Sequence, residues 1–272
     1  FISATLDTRA LEALHVPSVA MVHHPLALET GLDPDRRDRL YRIERANLAH
    51  VDHVLVTSPS TAAVLTGTYG VAPGRITIAR PGTDRPHRPR APVAPPLILS
   101  VGIQHPRKGH DVLLRALARL TDLDWTAVIA GKPYDEDHAA ELARLHHDLG
   151  LGARVRLAGF LPDAELAGLY AAASVFALAT RFEGYGLVFD EALAHGLPIV
   201  SCRTGAVPDT VPEAAGRLVP PDDPEALADA LAALLRDKAS YGSCAEAALA
   251  AGRRLPGWEE TARTAGGVLD RL

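Results

Sequence analysis

Two cysteines in 272 residues, Cys202 and Cys244, are too few for a disulfide framework and read as buried thiols in a reducing compartment. No apolar run reaches the roughly 18 residues that a membrane span needs. No basic flank precedes an apolar core at the start, so no secretory signal is read. No Gly-x-Gly-x-x-Gly fingerprint follows any predicted strand, which weighs against a dinucleotide cofactor. The 12 histidines are scattered without metal-ligand spacing, and no metal site is predicted. Strong charge of either sign is also missing. Residues 1–95 carry 11 arginines against nine acids, a balance of +2, and the remainder carries 17 bases against 24 acids, a balance of −7. Neither half has the basic excess of a nucleic-acid binder. Lysine is the scarcest charge, with only Lys108, Lys132 and Lys238 beside 25 arginines.

What is present suits a globular α/β protein. The length accommodates two domains with real cores, and 47% hydrophobic with 22% charged residues is ordinary for that class. Strands and helices alternate almost throughout, which predicts parallel sheets. In the first part, 17–22, 53–57 and 76–79 read as strands. Residues 33–50 read as a helix with Asp33 as N-cap and Pro34 at its first position, and 58–68 as a second helix. The run Arg-Pro-His-Arg-Pro-Arg-Ala-Pro-Val-Ala-Pro-Pro at 85–96 reads as a stiff linker. The domain boundary is therefore placed there: 1–95, then 96–257, with a final helix over 258–272. The second part offers strands at 97–101, 125–130, 155–158, 175–179 and 198–202. Helices fill the gaps at 109–120, 136–149 and 164–173, and a further helix spans 224–235.

The densest run is Phe182-Glu-Gly-Tyr-Gly-Leu-Val-Phe-Asp-Glu191. It joins the 175–179 strand through a glycine turn, Gly184-Tyr185-Gly186, to a helix stopped by Gly196 and followed by the 198–202 strand. Glu191 is expected about two turns into that helix. In such a unit the helix N-terminus faces the carboxyl edge of a parallel sheet, where open α/β sheets bind ligands. Its free N–H groups favour an anion, and the glycines let the backbone approach it. Glu183 then stands beside an anion site, an unfavourable place unless the ligand also brings hydroxyls or developing positive charge. A second run, Gly102-Ile-Gln-His-Pro-Arg107-Lys108-Gly109, follows a buried strand and opens a helix. Adjacent cations at a glycine turn suit a diphosphate. His23 ends the first strand, where an imidazole facing a cleft can donate to a phosphate or assist a reacting group.

Phe-Glu-Gly-Tyr-Gly followed by Glu191 resembles the E-x7-E signature of retaining glycosyltransferases of the family 4 type, and residues 102–109 resemble that family's donor loop. The resemblance implies a GT-B-like fold, α/β, with two Rossmann-like domains and parallel sheets, the first domain truncated and missing its opening strands and their glycine-rich loop. It implies transfer of a sugar from a nucleotide diphospho-sugar to an acceptor hydroxyl with retention of configuration. Glu183 and His23 would be catalytic. Gly102, Arg107, Lys108, Gly184, Tyr185, Gly186 and Glu191 would bind the donor, with Arg107 and Lys108 on its phosphates and Glu191 on its ribose hydroxyls. The loop at Phe160 and Leu161 would read the base through its backbone, and Gly205 to Pro208 would close the pocket. The final helix would cross back onto the first domain. Ile103 departs from the family, where many relatives have Arg or Thr.

The resemblance further implies no cofactor beyond the donor itself, a sugar or lipid-linked acceptor, and a cytoplasmic location. Arg36, Arg37, Arg39, Arg42 and Arg45 are interleaved with Asp35, Asp38 and Glu44 and read as a solvated, salt-bridged helix face. The alternative for that face is peripheral contact with the inner side of an anionic membrane. Rival readings of the whole are a nucleotide-sugar-binding module without catalysis and a GT-B-fold sugar-nucleotide epimerase.

Overall fold

A computed structural model describes residues 3–272. The chain forms two compact units, and neither is continuous in sequence. Residues 1–83, 182–185 and 256–272 make the first, and residues 84–181 and 186–255 make the second.

The first unit opens with a short helix α1 (Thr8–Glu12), followed by β1 (Val19–Val22), α2 (Pro34–His50), β2 (His53–Val56), α3 (Pro59–Gly67) and β3 (Ile76–Ile78). The three strands form one parallel sheet in the order β1-β2-β3. The start of α2 follows from local chemistry. The Asp33 carboxylate accepts the Arg36 N–H at 2.9 Å, and Pro34 occupies the first turn, where no donor is needed. Val22, Leu48, Val54, Val56 and Leu65 bury one face of the sheet. The arginines of α2 are exposed, but the salt-bridged face expected for them is not formed with Glu44. That carboxylate turns inward, 1% exposed, and accepts Ser3 Oγ at 2.8 Å and the Leu26 N–H at 3.1 Å. Arg42 and Arg45 instead donate to Asp38 O and to the Tyr41 hydroxyl.

The second unit contains β4 (Leu97–Val101), α4 (His110–Leu117), β5 (Thr126–Ala130), α5 (Glu136–Asp148), β6 (Val155–Gly159), α6 (Asp163–Ala172), β7 (Val175–Leu178), α7 (Leu187–Ala194), β8 (Ile199–Cys202), α8 (Val207–Thr210), β9 (Gly216–Val219), α9 (Pro224–Arg236) and α10 (Lys238–Gly252). Its six-stranded sheet is parallel, ordered β6-β5-β4-β7-β8-β9. The chain winds outward from β4 in one direction, then returns to β7 and winds outward in the other. The crevice between β4 and β7 is thus the topological switch point, where ligands of open α/β sheets bind. Both faces are covered. Ile98, Ile129, Val175 and Val200 pack under α4 and α9, while Leu99, Phe176, Leu178 and Phe189 pack on the other side with α7 and α10. Trp125, 1% exposed, anchors the first of these layers, with its indole N–H donating to Leu120 O at 2.8 Å and the Arg154 guanidinium 4.2 Å over its ring.

The proline-rich stretch expected as a linker is fastened to the second unit. Ala91 and Val93 donate their N–H groups to Ala171 O and Ala172 O, at 2.8 and 3.1 Å. Just before them Arg90 forks to Gly196 O at 2.9 Å, Ala173 O at 3.1 Å and the Tyr241 hydroxyl at 3.0 Å. The division between units accordingly falls after Thr83. The last helix, α11 (Trp258–Leu269), belongs to the first unit, where Val268 packs with Leu55 and Ala79 and Thr261 Oγ1 donates to Arg80 O at 2.6 Å.

Candidate active site

Within the second unit, two segments leave the carboxyl ends of β4 and β7 side by side. The first is the cationic run. Pro106–Lys108 form a single 3-10 turn, and Gly109 precedes α4 in the left-handed conformation at φ 63°. Helix α4 thus begins one residue later than expected, after a turn that presents Arg107 and Lys108. His105 Nδ1 accepts the Arg107 N–H at 3.0 Å. The Lys108 stem lies against Gly102, where an added Cβ would meet Lys108 Cδ at 3.3 Å. His110, completely buried, donates Nε2–H to Gly102 O at 3.2 Å. Because a carbonyl can only accept, that bond fixes the ring tautomer. Burial pushes the imidazole pKa down to about 4, so the ring is neutral at pH 7.

The second segment locks the first. Arg107 O accepts the Arg181 N–H at 2.7 Å and Thr180 Oγ1–H at 3.1 Å. The Arg181 side chain donates to Pro106 O and forks onto Asp111 at 2.8 and 3.0 Å, and its Nε–H reaches Asp222 at 2.7 Å. These two carboxylates hold the Arg181 pKa above its usual value, and in turn the guanidinium keeps Asp111 below the ordinary carboxylate range despite its burial. Neither Arg181 nor Thr180 stands out in the sequence as a site residue. Their roles depend on β7 lying beside β4, which no local pattern encodes.

Helix α7 starts at Leu187, with Gly186 before it at φ 89°. Glu191 therefore stands one turn in, not two, because it lies only four positions after Leu187 and a turn takes about 3.6 residues. Its Oε2 accepts the Tyr170 hydroxyl at 2.6 Å. Burial raises the Glu191 pKa; the Tyr170 bond opposes that shift, while Asp190, Asp163 and Asp84 add to it. Glu191 and Tyr170 line a groove of about 520 Å³ together with Asp84, Arg88, Asp163 and His195. The size suits a small-molecule ligand. Phe160, 73% exposed, directly follows β6, the edge strand, and Leu161 comes next.

The remaining predicted residues belong to the first unit. His23 follows β1. Its main chain lies so near the 182–185 segment that a Cβ at Gly184 would stand 2.3 Å from His23 O. Ser58 Oγ–H donates to Gly184 O at 2.8 Å, and Thr61 Oγ1 lies 3.3 Å from both Gly184 O and His23 O. Ser58 thus serves twice, since the same oxygen caps α3 by accepting the Thr61 N–H at 3.1 Å. His23 and the Glu183-Gly184 pair are thereby brought together. Glu183 is 4% exposed. Burial is the largest cause of a lowered His23 pKa. Tyr185, 7% exposed, turns its phenol toward Arg80, whose Nε–H lies 3.4 Å from the hydroxyl. Among the described residues no helix is long and apolar enough to cross a membrane.

Comparison with known proteins agrees with this architecture. Residues 95–237 match the family described as Glycosyl transferases group 1, and residues 1–85 match Glycosyltransferase Family 4. D-inositol 3-phosphate glycosyltransferase of Mycolicibacterium paratuberculosis is 32% identical over 94% of this chain, which spans 60% of that relative's length. D-inositol 3-phosphate glycosyltransferase 2 of Catenulispora acidiphila is 30% identical over 100% of this chain and 69% of its own. Among solved structures, the sucrose-phosphate synthase of Thermosynechococcus elongatus superposes with a TM-score of 0.83 at 27% identity, covering 97% of this chain and 69% of that one. The fold class is GT-B, with a Rossmann-like parallel sheet in each unit. The chain belongs to the group 1 glycosyl transferases.

Proposed function

We propose that the protein transfers a sugar from a nucleotide diphospho-sugar to an acceptor hydroxyl with retention of configuration at the anomeric carbon. The observation that carries this reading is the paired construction at the switch point. A turn bearing Arg107 and Lys108 is tied through Arg107 O to the segment that leads into the N-terminus of α7. Two cations and a helix end converge on one edge of one sheet, which suits a departing diphosphate. In this reading Arg107, Lys108 and the amides near Gly186 take up the negative charge as the bond between the anomeric carbon and the diphosphate breaks. Glu191 accepts the ribose hydroxyls. Glu183 orients the sugar and offsets its developing positive charge, and His23, its pKa lowered, assists as a neutral imidazole. Gly102, Gly184, Tyr185, Phe160 and Leu161 are assigned to donor binding through the backbone and shape of their loops.

The charge neutralisation assigned here needs neither cofactor nor metal ion, so turnover should persist in excess EDTA. The acceptor class proposed is a phosphorylated polyol, since the named relatives at 30–32% identity act on D-inositol 3-phosphate. The test is calorimetric titration of the chain with UDP, GDP and ADP and with their sugar conjugates, followed by turnover with inositol 3-phosphate. Lys108→Ala should lower turnover by about 10²–10³, the usual cost of losing one preorganised donor to developing charge. Normal turnover in that variant overturns the phosphate role.

A further inference from the structure

Glu191 alone does not determine which way its carboxylate points. The side chain has three rotatable bonds and emerges from an exposed-to-buried boundary on a two-turn helix. Something else must hold it, and the groove contains a group that does so. Tyr170 is 3% exposed on α6, and its ring stacks with two neighbouring rings. Phe176 lies nearly parallel at 6.1 Å and 10°, and His195 nearly parallel at 5.2 Å and 17°. A phenol held this way has one direction for its hydroxyl, and that direction ends 2.6 Å from Glu191 Oε2. Burial and the neighbouring carboxylate keep the phenol protonated, so it is the donor.

We propose that Tyr170 is a positioning residue for Glu191: its hydroxyl occupies one carboxylate oxygen and thereby presents the other to the ribose hydroxyls of a bound nucleotide. This rests on the assignment of Glu191 to ribose in the preceding section. An anchored carboxylate reads hydroxyls at fixed positions, and an unanchored one swings and discriminates less. Tyr170 therefore sets discrimination between ribo- and deoxyribonucleotides more than it sets overall affinity. The bond has a second consequence. Three acids raise the pKa of Glu191 by their charge: Asp190 on its own helix, Asp163 at the start of α6, and Asp84. Arg85, His87, Arg88 and His195 line the same groove. Tyr170 opposes the effect of those acids on the carboxyl, so without its hydroxyl Glu191 takes up a proton at higher pH.

The experiment titrates UDP and 2′-deoxy-UDP, with the guanosine and adenosine pairs alongside, into wild type, Tyr170→Phe and Glu191→Gln, at several pH values. For Tyr170→Phe the ribo-to-deoxy affinity ratio should fall about 10-fold, the usual scale for a hydrogen bond to a charged group. The acid limb of ribonucleotide binding should move to higher pH. Site-specific 3-fluorotyrosine at position 170, a stronger donor, should move that limb to lower pH, and it serves should Tyr170→Phe not fold. A ratio that collapses in Glu191→Gln but survives in Tyr170→Phe, with no movement of the limb, overturns the positioning role while leaving the ribose assignment standing. A ratio unchanged in both variants overturns the ribose assignment and this inference with it.

Discussion

Replacing Gly109 by alanine tests the claim that the cationic turn is held against β7 at the main chain. Two costs are separable. Gly109 has φ 63°, where a side chain costs roughly 1–2 kcal/mol in any surroundings. In addition, a Cβ there would stand 1.9 Å from Ala179 O, whereas real Cβ atoms essentially never come within 3.0 Å. The turn or the end of β7 must therefore recede by over 1 Å. Ala179 is completely buried, so the turn is the part that yields. Such overpacking costs typically 1–3 kcal/mol. As the turn retreats it also strains the two hydrogen bonds to Arg107 O, each worth about 1 kcal/mol. The expected loss is about 3–5 kcal/mol, together with weakened nucleotide diphosphate binding. Gly150 supplies the control. Its φ is 65°, and nothing lies within 4 Å of an added Cβ, so Gly150→Ala should lose only the 1–2 kcal/mol of backbone strain. Urea unfolding followed by Trp125 fluorescence reads the second unit, with Trp258→Phe as background to silence the other tryptophan. A Gly109→Ala protein no less stable than Gly150→Ala refutes the close approach of turn and strand.

Two further outcomes follow from groups buried in the second unit. His110 has its pKa lowered from 6.5 to about 4, so the unfolded chain takes up a proton before the folded one does. Its contribution is full above pH 6.5 and is lost as pH falls toward 4, about 3 kcal/mol in all. His110→Gln, which keeps a donor for Gly102 O, should flatten that part of the stability profile, as read from urea midpoints at pH 7.5 and 4.5. Arg90 bonds the carbonyls that end α6 and α7, and the ammonium of lysine cannot fork to both while reaching Tyr241. Arg90→Lys should cost about 2 kcal/mol in the same assay, and an unchanged midpoint would show that the proline-rich stretch is held without the Arg90 fork.

The parts of the fold that local chemistry dictates are legible in the letters. Asp33 and Pro34 mark the start of α2, and Gly186 and Gly196 bracket α7, because a cap or a left-handed turn is decided within a few residues. The unread parts lack such marks. Strand β9 is four residues beginning with glycine. Helix α10 runs through Lys-Ala-Ser-Tyr-Gly-Ser-Cys, with small residues on every side and no apolar stripe to reveal a period. The proline-rich stretch reads as a free linker because composition shows stiffness but not attachment, and its attachment comes from carbonyls more than 75 residues away. The same holds for the site. The charged and glycine-rich runs are visible, but Arg181 and Tyr170 act on partners 70 and 21 residues distant, and only the strand order brings those partners near.

The four residues that open the signature, Phe182 to Tyr185, belong to the first unit although the chain on either side of them belongs to the second. No single crossover point can therefore exchange the units between two members of this family. A chimera joined at Asp84 would seat a foreign glycine turn under Ser58 and Thr61 and a foreign last helix over Gly82. Transplanting the second unit of one such chain onto another requires four junctions, with the tetrapeptide and the final 17 residues kept from the recipient. Over evolutionary time the same arrangement makes the short motif answer to two different neighbourhoods at once.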